Sequence, residues 1–238
     1  VGSHSAVFLQ GGNFLIRSPD WGSAGVPLNA LGAITYGSST GTFSNGAAFA
    51  GTLSSTNSLV GAQAGDRVGT NGVISGLGGV EQLLSGNFLI RSLNWKNGAT
   101  TAAGALTLGT VNGKFSDGVT PFAGTVSAAN SLVGSNTNDR VGSGYVLQLL
   151  DGSNWNFIEV TGTWNSNAGA VTYGSSSGKF SDGVTPFAGT LSAANSLVGS
   201  AAGDNLGSGF ATYVSSAVCN GKILVPAPAC NTNRGARP

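Results

Sequence analysis

Two stretches of the chain, GSSTG at residues 37–41 and GSSSG at residues 174–178, spell the Gly-x-Ser-x-Gly string of serine nucleophiles. A serine there attacks only from a strand-to-helix elbow, with a histidine and an acid within hydrogen-bond reach. Here each string lies between two strand-like runs, and the corresponding stretch between them reads GTVNG at residues 109–113. Both strings are therefore expected to be turns. His4 is the only histidine and stands at the start of the chain, where ends fray, so no base is at hand. Only Glu81 and Glu159 are glutamates, and glycosidase chemistry needs two carboxyl groups facing one cleft. Aligned with Arg17 and Arg91, Glu159 reads as a sheet-edge charge or as the partner of an arginine in a neighbouring unit. No catalytic constellation emerges, and the chain is expected not to be an enzyme.

Metal and cofactor chemistry have as little to stand on. Cys219 and Cys230, eleven positions apart in CNGKILVPAPAC, with the distant His4, make too few ligands for zinc. The pair reads as one disulfide closing a terminal loop, which suits an oxidising compartment; two free buried thiols are the other reading. No metal and no cofactor are expected. Two recurring residue types keep a binding role open. Asp66, Asp139 and Asp204 recur in GDR, NDR and GDN turns, and Trp21, Trp95 and Trp164 recur at one position of a repeated element. On a rim, the rings could stack on sugar faces and the aspartates could meet a sugar or a metal. In the interior, the rings would pack between units and the aspartates would hold Asx-type turns.

These residues recur because the chain repeats. Residues 113–135, GKFSDGVTPFAGTVSAANSLVGS, return at residues 178–200 with Val126 replaced by Leu191. NFLIRSPDW (13–21), NFLIRSLNW (87–95) and NFIEVTGTW (156–164) form one family of elements, with KILVPAPAC (222–230) as a weaker fourth. GAITYG, GALTLG and GAVTYG form a second family, and NSLVG segments starting at Asn57, Asn130 and Asn195 a third. Those asparagines are 73 and 65 residues apart, so the unit is about 70 residues long. The expected organisation is residues 1–67, 68–140 and 141–205 as full units. Residues 206–238 make a half unit with the disulfide and a tail.

Each element reads as a strand: short, β-branched and aromatic, bounded by Gly, Asn, Asp and Ser. Residues 7–18 and 80–92 read as hairpins, and VNGKF as an Asn-Gly turn with both central residues at positive φ. No helical period is sustained. The run Phe-Leu-Ile is apolar at consecutive positions, so both faces of that strand must leave water. With no helices to cover them, sheets must cover sheets. The fold class is all-β: tandem four-stranded repeats like propeller blades, with a stacked β-solenoid as the alternative, in three full units plus a C-terminal half.

The whole pattern, from NSLVGSNTNDRVGSG through the hairpin to FLIRSP and GAVTYG, resembles the FG-GAP blades of integrin-type propellers. It is also similar to the repeats of large bacterial haemagglutinin-like surface adhesins. Val68–Gly69, Val141–Gly142 and Leu206–Gly207 stand for the Phe-Gly pair; RSP (17–19) and PAP (226–228) stand for the Gly-Ala-Pro. The resemblance implies a propeller-like fold at a cell surface. The Asp-x-Asp-x-Asp calcium loop of such blades has no counterpart here, so calcium is not carried over.

Charge and composition narrow the partners. Charged residues are only 8% and the formal net charge is +1, so no basic stripe exists for nucleic acid. No apolar run reaches the length of a membrane-spanning helix. The absence of methionine, even at position 1, points to a processed product, secreted to the extracellular space or cell surface. The half unit leaves a hairpin unfinished, and Phe210, Tyr213, Ile223, Leu224 and Val225 form the expected assembly segment. Other copies of the chain, meeting head to tail, are the expected partners, and surface glycans are the alternative. On the first reading the chain is a subunit of a fibre, sheath or surface layer that loses its assembly when residues 210–238 are removed. On the second it is a secreted lectin-like adhesin module.

Overall fold

The computed structural model describes residues 6–22, 25–26, 29–70 and 78–208, together with two short strands in the C-terminal stretch. The fold is all-β and built of three tandem repeats. In repeat one, β1 (Val7–Phe8), β2 (Phe14–Ser18), β3 (Ala33–Gly37) and β4 (Leu59–Val60) lie side by side in chain order. Repeat two supplies β5 (Val80–Gln82), β6 (Phe88–Ser92), β7 (Ala105–Gly109), β8 (Gly124–Thr125) and β9 (Leu132–Val133). Repeat three supplies β10 (Val146–Asp151), β11 (Asn154–Thr161), β12 (Ala170–Gly174), β13 (Gly189–Thr190) and β14 (Leu197–Val198). Beyond it, β15 (Thr212–Tyr213) pairs antiparallel with β16 (Ile223–Leu224). The hairpins form as the sequence suggests: Val7 faces Leu15 and Val80 faces Ile90.

Each repeat is thus an antiparallel meander of four strands, and none of the three sheets closes into a barrel. A second pairing ties the meanders together. Strand β8 of repeat two leaves its own sheet and adds in parallel to β4 of repeat one, with Leu59 opposite Gly124 and Val60 opposite Thr125. Strand β13 of repeat three does the same to β9, with Leu132 opposite Gly189 and Val133 opposite Thr190. The sheets of repeats one and two therefore each gain a fifth strand from the repeat that follows.

The sheets bury one another. Leu15, Ile34, Tyr36 and Leu59 of the first sheet share a core with Phe88, Ile90, Phe115, Phe122 and Val126 of repeat two. Leu89, Leu106, Leu108 and Leu132, pointing the other way, meet Phe157, Phe180, Phe187 and Leu191 of repeat three. The middle strand FLIRS (β6) is accordingly buried at every position. The same five letters in β2 alternate at their start, with Phe14 and Ile16 half-buried around a buried Leu15. A sheet covered on one face gives that alternation, and β2 sits at the end of the stack.

Glycine closes the meander where an aromatic ring needs room. A Cβ on Gly109 would lie 2.2 Å from the Phe88 ring and 2.9 Å from that of Phe122, which explains the final glycine of GALTLG. Two sequence expectations shift in detail. In the VNGKF turn only Gly113 has positive φ (69°), so Asn112 keeps an ordinary conformation. The bond from the Gly113 N–H to the Thr110 carbonyl makes this a turn followed by a left-handed glycine, rather than a mirror-image turn. The one α-helical turn among the described residues, Trp164–Asn167, contains Asn165, Ser166 and Asn167 at positive φ and is a tight loop rather than a helix.

Candidate functional site

The residues singled out by recurrence converge on the junctions between repeats. At the first junction Asp66 is fully buried. Its Oδ2 accepts the N–H groups of Ala62 (2.9 Å) and Gln63 (2.8 Å), closing its own turn. Its Oδ1 accepts the N–H of Lys96 (3.1 Å), the residue after Trp95 in repeat two. Asp139 repeats the arrangement: Oδ2 takes the N–H groups of Ser135 (3.0 Å) and Asn136 (2.8 Å), and Oδ1 that of Asn165 (2.9 Å), just after Trp164. Asp204 is buried and its Oδ2 accepts the N–H of Ser200 (2.7 Å) and of Ala201 (2.9 Å). Each carboxylate thus finishes a turn, and at the two inner junctions its second oxygen reaches the next repeat. Burial raises the Asp66 pKa, while these N–H groups and the Lys96 ammonium pull against that rise.

The tryptophans sit beside the latches. Trp95 is buried in the core shared by repeats one and two, and Trp164 packs half-buried against the core shared by repeats two and three. Trp21, the first of the series, is half-buried. The indole N–H groups of Trp95 and Trp164 are buried without an acceptor among the described residues. The Trp95 ring thus presents its area to protein.

Two asparagines per repeat do more than their sequence suggested. Asn13 donates through Nδ2 to the Val111 carbonyl of repeat two (2.9 Å), and Asn87 to the Ser176 carbonyl of repeat three (2.8 Å). Asn57, Asn130 and Asn195 each accept the N–H of a serine three residues back through Oδ1. Through Nδ2 they bond the Thr52, Thr125 and Thr190 carbonyls, fixing the shape of the strand that crosses to the neighbour. The signal was the invariable first letter of NFLI and NSLVG, visible as a repeat but silent about its partner.

A cluster of charged side chains gathers at the second junction. The Arg91 guanidinium bonds Glu81 (2.6 Å) and the carbonyls of Gly142 and Gly144 (2.7 Å to the latter). Glu159 is fully buried nearby, accepting the Thr161 hydroxyl at 2.9 Å. Strand register places it opposite Thr172, as Ile90 lies opposite Thr107. Its counterparts are therefore Ile16 and Ile90, and Val160 takes the place of the arginines; the alignment with Arg17 and Arg91 was off by one position. Burial pushes the Glu159 pKa up to about 7, against the pull of Arg91, Thr161 and the Gly142 N–H and with the push of Glu81.

Several expected sites lie outside the described residues: His4, Cys219, Cys230, Phe210 and Val225. For Tyr213, Ile223 and Leu224 the structure gives the pairing of β15 and β16. Among the described residues no cluster of three or more His, Cys, Asp or Glu side chains is placed to hold a metal ion. Among the same residues no helix is long and apolar enough to cross a membrane. No curated protein matches the chain. A family model described as a repeat of unknown function (DUF5650) matches three times, at residues 8–70, 82–143 and 152–208. These spans fall on the three meanders, and the match identifies repeats of this family rather than FG-GAP or haemagglutinin-like ones. The chain belongs to the family of DUF5650 repeat proteins.

Proposed function

We propose that this protein is a non-enzymatic, extracellular structural subunit, which builds a fibre, sheath or surface layer by continuing its stack of repeats into further copies of itself. One observation carries this reading: in each end repeat, an apolar residue whose counterparts are buried at the inner junctions is left open. Phe122 and Phe187 are completely buried, whereas their counterpart Phe49 is 36% exposed. Leu59 and Leu132 are completely buried, whereas their counterpart Leu197 is 58% exposed. Apolar faces rimmed by open strand edges mark interaction surfaces. The sparse charge of the sequence supports close approach of like molecules.

The test is negative-stain microscopy of the purified chain without any ligand. Extended or ring-like particles with a regular axial repeat are expected. A field of single compact particles at micromolar concentration sinks the reading.

A further inference from the structure

We propose that copies couple by strand donation: residues 51–53 of one molecule add in parallel to the open edge of β14 in another. The inference rests on the stacking reading above and gives the contact its register. The chain makes this contact twice within itself. The N–H groups of Gly124 and Val126 bond the carbonyls of Ser58 and Val60, both at 3.0 Å. Those of Gly189 and Leu191 bond Ser131 and Val133 at 3.0 and 2.9 Å. By the same register, Gly51 and Leu53 are the donors of repeat one, and Ser196 and Val198 hold the acceptors of repeat three. Among the described residues, nothing pairs with Gly51 and Thr52 as a strand, and β14 is the edge of its sheet.

The unused donor is already shaped. Gly51 has φ of 110°, in the glycine-favouring region shared by Gly124 (133°) and Gly189 (128°). Asn57 clamps Thr52 as Asn130 clamps Thr125. A pre-formed strand loses little freedom on docking. Its apolar companions match as well. Ile16, Phe43, Phe49 and Leu53 line a hollow on repeat one. Their counterparts Ile90, Phe115, Phe122 and Val126 fill the first inner junction. On the accepting side, the open residue of the β14 edge is Leu197, while Leu149, Ile158, Val160 and Val171 behind it form a core already buried within the chain.

No Ala-Gly-Thr segment recurs in residues 209–238. The β15–β16 hairpin opens a fourth unit by sequence. The proposed donor and acceptor both lie before Ser208, so a chain ending there still couples.

The test mixes full chains carrying Thr52→Cys with full chains carrying Val198→Cys under mild oxidation; register places these positions opposite each other, close enough for a disulfide. Thr52→Cys mixed with Val184→Cys, an exposed position away from β14, is the control. Peptide mass spectrometry is expected to find the 52–198 link at least about tenfold above the 52–184 link, because docking raises the local concentration of the pair. Equal links overturn the proposal. So does loss of the 52–198 link in chains that end at Ser208, since the hairpin would then be the coupling element. Extended particles with links at control level leave stacking standing and remove only this register. Single particles with no link remove both.

Discussion

Asp139 receives three backbone N–H groups, two from its own turn and one from the repeat that follows, so one side chain both shapes a loop and fastens a junction. Replacing it with alanine removes the acceptor of three part-buried N–H groups. Asp139→Ala is expected to lower stability by roughly 2–4 kcal/mol in a urea titration. Asp182, whose bonds serve only its exposed loop, should tolerate the same change without a shift in midpoint. Glu159 makes a prediction in pH. Burial pushes its folded pKa up to about 7 from an ordinary value of 4.5, so the folded chain keeps a proton that the unfolded chain releases. Stability therefore falls as pH rises from about 4.5 to about 7 and levels off above, by a total on the order of 3 kcal/mol. Glu159→Gln should flatten that slope; a slope of the opposite sign, or one that survives the change, contradicts this account. The recurrence of the aspartates was legible in sequence, and an Asx turn was one of their readings. The reach of the second oxygen into the next repeat was not, because Lys96 and Asn165 offer only a backbone N–H, and any residue has one.

At the scale of the element, hairpins and Gly-Ala-led strands were readable because aromatic and β-branched runs end in glycine. The crossing strands were not. Gly124–Thr125 and Gly189–Thr190 are two residues long and carry no apolar alternation. In the sequence they begin on the last glycine of what reads as a loop excursion, FSDGVTPFAG. Tertiary context makes them strands: an asparagine clamp presents them to an edge that the previous repeat leaves open. The excursion also delivers a phenylalanine to the junction, edge-on to Phe88 in repeat two, with centroids 5.0 Å apart. One letter in one element should then have a cost set by its place in the stack. Phe122→Ala, at an inner junction, is expected to cost about 3–5 kcal/mol. Phe49→Ala, at the outer face, should cost less than about 2 kcal/mol in the isolated chain. Equal losses in parallel denaturation curves would mean that the first repeat does not end the stack.

The molecule as a whole is a stack of three sheets whose two inner junctions are closed cores. Consecutive apolar letters in FLI were enough to require cover on both faces, and β6 has it. The alternation in β2 arises from the same letters with one neighbour missing, which no local pattern could reveal. If the ends are unfinished junctions, mass should grow with concentration and a charge at the accepting edge should stop it. Light scattering of the full chain from low to high micromolar concentration, beside its Leu197→Lys variant, asks this directly. The account predicts a rising mass for the natural sequence and single chains for the variant. A natural chain that stays single across the whole range contradicts it.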